Sequence, residues 1–190
     1  MNILTDRLPE TVKVGGSEFA IETDFRACVA FELLAEQGET NVFALLRPFF
    51  PNGIPRDLYG AMEAVLTFYR CGEKPAEGKG SGKRAYSFRV DGATIYADFW
   101  RYYGLDLSGV SLHWYAFRAL LAGLPDDSGY KQRVYYRTCE PSGLPKKERE
   151  RINKIRKAIE IGGESKLTLE ERNEKMLAYA TQRSKEANSL

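Results

Sequence analysis

One histidine and three cysteines are all that 190 residues offer for metal binding or nucleophilic chemistry. Cys28, Cys71 and Cys139 are odd in number and fall in no CxxC or Cys/His spacing, so neither a disulfide framework nor a usual zinc site is signalled. His113 stands in LHWYAFRALL among large apolar residues, with no cysteine or serine at a recognisable distance. It is expected to be a core or boundary residue satisfied by its neighbours. Charge of one sign is also lacking: 28 Lys and Arg against 26 Asp and Glu leave +2, and no global field selects nucleic acid, an acidic membrane or an acidic substrate. No window approaches the roughly 18 consecutive apolar residues of a membrane helix, and the opening MNILTDRLPE carries no apolar run for a signal peptide. These absences point to a reducing cytoplasm, no membrane contact and no cofactor.

Two segments imitate functional motifs. The glycine-rich stretch GKGSGKR resembles a phosphate-binding loop, but GxxxxGK[ST] would need glycine at Glu77 and Ser or Thr at Arg84. It reads as a solvated linker within residues 72–84. Asp106, Asp126 and Asp127 lie at the ends of helical segments, where capping accounts for them without an acid/base pair. With no catalytic constellation left, the chain is read as a non-enzyme.

What is present is apolar material in helical register, 43% hydrophobic and 12% aromatic. Val12 and Val14, then Phe19 and Ile21, flank a glycine turn and predict a hairpin. Thr23 or Asp24 then caps a helix running through Phe25, Cys28, Phe31 and Leu34 to about Glu36, with Gly38 ending it. NVFALL forms a shorter helix that stops before Pro48. Leu58, Met62, Val65, Leu66 and Tyr69 share a face in the next. Asp91 is placed to cap a helix over Ile95, Tyr96, Phe99, Trp100 and Tyr103, closed by Gly104, and a further helix starts near Ser111 and stops at Gly123 and Pro125. Phe99, Trp100, Trp114 and Phe117 on these two helices are expected at the centre of the core rather than as stacking platforms for bases. Periodicity leaves residues 127–138 open between a short helix and an irregular aromatic segment.

From Pro145 the composition changes. Residues 146–190 hold 12 basic and eight acidic side chains and one aromatic, Tyr179. Ile152, Ile155 and Ile159 form a narrow stripe; Thr168 with Glu171 matches a capping box ahead of Leu169, Met176 and Leu177. Two amphipathic helices joined at Gly162 and Gly163 are expected, too narrow in their apolar faces to be stable alone. The reading is a mainly α chain: a single helical domain over residues 1–143 with a small N-terminal hairpin, and a charged helical extension over 144–190. Ile152, Ile155, Ile159, Leu169, Met176 and Leu177 are the candidate partner-binding residues. The run 146–157 has seven positive and two negative side chains and could neutralise phosphates, but its interleaved glutamates and isoleucines favour a solvated face on a docking helix.

The anchors YSF followed by Asp91, IYADF, YGLDL, LHWYAFRALLAGL and the pair Tyr136 and Arg137 resemble the bacteriophage gene product fifteen family of small siphophage proteins. ILTDRLPETVKVGGSEFAIETDFR and the FYR at 68–70 extend the likeness over about residues 3–140. Members are typically encoded among tail genes, close to the tape measure gene. The resemblance implies tail morphogenesis in the host bacterial cytoplasm, by a chaperone that binds the tape measure protein or another tail protein, self-associates or not, and leaves the mature particle. It supplies no catalytic motif. Two rival readings are a nucleic-acid-associated or host-directed regulator acting through 146–157, and a permanent structural subunit of the tail.

Overall fold

Two adjacent glycines shape the first element. Gly15 and Gly16, at φ 56° and 83°, adopt the left-handed geometry of a tight hairpin turn. They join β1 (Thr11–Val14) to β2 (Ser17–Ala20), antiparallel with Val14 opposite Ser17. The computed structural model describes residues 2–74, 84–162 and 169–188, with the side chains at 169–170 and 187–188 outside that description. Residues 75–83 of the glycine-rich stretch, Gly163 and the Thr168 cap also lie outside it.

Eight helices follow among the described residues, making the chain mainly α as the periodicities predict. α1 (Phe25–Glu36) starts where the Asp24 carboxylate accepts the Arg26 N–H, and α2 (Val42–Leu46) where Asn41 accepts that of Phe43. α3 (Leu58–Tyr69) is capped by Asp57, which accepts the Gly60 N–H. α4 (Phe88–Tyr103) closes on left-handed Gly104. α5 (Trp114–Ala122), α6 (Gly129–Thr138), α7 (Lys146–Ala158) and α8 (Leu169–Asn188) complete the order. The open segment 127–138 is thus mostly helical, because Ser128 accepts the Lys131 N–H and the Asp98 carboxylate accepts those of Gly129 and Tyr130.

Three expectations are corrected. The cap of α4 is Ser87, so Asp91 lies within the first turn, where it is fully buried. The fifth helix begins at Trp114 rather than near Ser111, since the residues before it pair with the entry to α1: the Phe25 N–H donates to Leu112 O at 2.9 Å and the Trp114 N–H to Thr23 O at 2.7 Å. Trp100 is no core residue. It is 55% exposed and stacks on exposed Tyr96, ring centres 6.4 Å apart.

The chain groups into two units, Met1–Gly78 with Ser111–Arg118 and Glu164–Leu190, and Lys79–Val110 with Ala119–Gly163. In the first, Phe31, Phe49, Tyr69, Trp114 and Phe117 are buried; Trp114 stacks on both Tyr69 and Phe117, and its Nε1–H donates to Tyr69 O at 2.8 Å. In the second, α6 packs on α4 and α7 on α6, burying Phe88, Ile95, Phe99, Tyr130 and Ile152.

Candidate partner-binding site

His113 and Asp106 hold backbone groups, and burial raises the pKa of two of the three cysteines. His113 Nδ1 accepts the Tyr115 N–H at 3.1 Å and its Nε2 lies 3.1 Å from Pro9 O, so the ring caps α5 and ties down the N-terminal segment. Burial raises the Cys28 thiol well above its ordinary value and Cys71 to about 11, which leaves Cys71 about a hundredfold less thiolate at neutral pH. Asp106 accepts hydrogen bonds from the Ser108 hydroxyl and N–H and the Tyr96 hydroxyl, which lower its carboxyl pKa. Among the described residues no three His, Cys, Asp or Glu side chains cluster as a metal site, and no helix is long and apolar enough to cross a membrane.

The first unit instead contains a seated helix. α8 packs along α3 and reaches α2. Arg172 on α8 makes a two-pronged contact with Glu32 on α1, Nη1 to Oε1 and Nη2 to Oε2, both at 2.8 Å. The Tyr69 hydroxyl donates to the same Oε2 at 2.9 Å. Glu32 is 4% exposed and Arg172 8%, so each charge depends on the other. Below Arg172 on the helix, Met176 and Ala180 are buried at one-turn intervals. The contact is imperfect: Asn173 Oδ1 and Ser184 Oγ are buried with no hydrogen-bond partner among the described residues, each a cost of about 1–3 kcal/mol.

In the second unit the corresponding centre is Asp91. Arg137 grips it through Nη1 at 2.6 Å and Nη2 at 2.8 Å, Arg133 adds a contact at 3.1 Å, and the Ser87 N–H donates at 3.0 Å. Burial raises the carboxyl pKa, but the bonds from Arg137 and Ser87 and the two guanidinium charges outweigh it and hold the group below its ordinary value. The same Arg137 donates through Nε to Ile159 O at the end of α7. Arg156 of α7 donates in return to Tyr136 O and Cys139 O at the end of α6. Each helix therefore satisfies the terminal carbonyls of the other.

The candidate partner-binding residues divide between the units. Ile152 is buried in the second, with Ile155 and Ile159 half-buried on the same helix. Met176 is buried in the first beside half-buried Leu177, and Leu169 opens α8 with its side chain outside the described residues. Sequence reasoning missed Glu32, Arg172 and the Asp91 cluster. One signal was available: Glu32 follows Phe25 and Cys28 at seven and four residues, on the apolar face of its helix. A separate groove of about 570 Å³ runs between β1 and α3, lined among others by Val12, Lys13, Val14, Gly60, Glu63 and Phe68.

The family model described as Bacteriophage Gp15 protein matches residues 4–161. No curated protein and no solved structure matches the chain.

Proposed function

The chain belongs to the bacteriophage Gp15 family, and on that premise we propose that this phage protein is a non-enzymatic tail assembly chaperone, which holds the tape measure protein before tube subunits polymerise around it. The family resemblance supplies the tail context. The observation that carries the reading is α8: the first unit accommodates an amphipathic helix and neutralises its arginine with a buried acid. A tape measure protein, read as long and helical with an apolar stripe, needs that stripe covered until the tube encloses it.

A nucleic-acid role for 146–157 draws less support. Arg156 faces inward onto α6 carbonyls, and Arg151 and Lys146 lie within 3.5 and 4.0 Å of Glu148 and Glu150. Weak pairs of this sort are solvated surface.

Mass spectrometry of purified virions, together with electron microscopy of particles made without the gene, tests the proposal. The expected result is heads without tails in the deletion and no copies of the protein in wild-type virions. A fixed stoichiometric presence in the tail would replace the chaperone reading with that of a permanent subunit.

A further inference from the structure

α8 begins at Leu169, beyond residue 161 where the family match stops, whereas Glu32 and Tyr69, which receive Arg172, lie inside the match. The receiving half of the contact is thus in the family domain and the inserted half is outside it. The inserted half is also only partly suited to permanent burial. Of its inward positions Arg172, Asn173, Met176 and Ala180, two are polar, and among the described residues the buried oxygens of Asn173 and Ser184 have no hydrogen-bond partner. A helix that spends part of its time in water tolerates such groups, whereas a fixed core element is penalised for them throughout. The receiving half has a definite demand: a carboxylate 4% exposed requires a cation from whichever helix lies over it.

We propose that the face of α1, α2 and α3 around Glu32 is the docking site for an amphipathic helix of a partner protein, carrying arginine at one position and Met or small apolar residues four and eight positions later, and that α8 occupies this face in cis until such a helix displaces it. This rests on the chaperone reading and deepens it by naming the surface and the chemistry of its ligand. In the unbound protein Arg172 neutralises Glu32 while Met176 and Ala180 cover apolar surface, which keeps the free chaperone from aggregating. An incoming helix with the same spacing replaces both contacts at once, and the released α8, rich in charge, remains solvated. Exchange of one arginine helix for another costs little net electrostatic energy, so the balance is set by the apolar positions and by the local concentration of α8.

The probe is a fluorescein-labelled peptide of residues 167–188, titrated into the full-length protein and followed by anisotropy. Because this peptide is the chain's own helix, its result does not depend on whether the tape measure protein is the natural partner. A chain carrying Arg172→Gln and Met176→Ser is expected to bind the peptide at least tenfold tighter than the wild type, since its face is vacated. Adding Glu32→Gln to that chain should remove the gain, as should Gln in place of the peptide's arginine. Equal affinity for the wild-type and loosened chains, or a gain that survives Glu32→Gln, overturns the proposal. Hydrogen exchange on the wild-type protein is independent of whether the variants fold. Amides of α8 are expected to exchange at least tenfold faster than those of α1 and α3, and exchange of α8 and α3 as one cooperative unit would likewise overturn it.

Discussion

Replacing Arg137 by Met is expected to destabilise the second unit by about 3–5 kcal/mol, measured by urea denaturation at neutral pH. The substitution leaves Asp91, which is 0% exposed, with Arg133 and a single backbone N–H in place of the two-pronged grip. It also removes the donors to Ala85 O and Ile159 O, so the start of α4 and the end of α7 loosen together. Because the Asp91 carboxyl is held below the ordinary value of 3.8, its stabilisation is complete above that pH and is lost as pH falls through the lowered value. The difference between wild type and variant should therefore be full at pH 5–7 and shrink as pH falls below about 4. Removing both charges, as Asp91→Asn with Arg137→Met, should be milder than Arg137→Met alone, since no uncompensated ion is then buried.

Trp114→Ala should cost about 3–5 kcal/mol of stability in the first unit. The indole is fully buried, stacks on Tyr69 and Phe117, and gives Tyr69 O at the end of α3 a donor in place of a missing helical partner. Trp114→Phe keeps a ring but withdraws that donor, and about 1–3 kcal/mol of the loss should remain. Trp100→Ala, by contrast, is expected to stay within about 0.5 kcal/mol, because more than half of that side chain is already in water. Thermal unfolding of the three variants side by side reads all of these differences.

The contrast between the two tryptophans shows where legibility in the sequence ends. The hairpin and the positions of α1, α2 and α3 rest on signals within a few residues: paired glycines, an Asp or Asn cap, and apolar spacings of three and four. Such signals say that a helix has an apolar side. For α4 they do not say how wide the buried side is, and its aromatic face splits between buried Phe99 and exposed Trp100. Asp91 read as a cap because capping and ion pairing use the same residue type; what decides between them is Arg137, 46 positions away. The partner of Arg172 is 140 positions away, so nothing near it in sequence marks this arginine as buried on Glu32. Ile152 and Met176 stand on apolar stripes visible in the sequence, and their burial against the chain's own helices is likewise a long-range fact.

Co-expression of the full chain with the tape measure protein of the same phage, followed by affinity capture from the soluble fraction, tests the central claim most directly. The tape measure protein should be soluble only when the chain is present and should be captured with it in a fixed ratio, and Glu32→Gln should lower the amount captured. A tape measure protein that is equally soluble alone, and from which the chain is recovered free, would contradict the account.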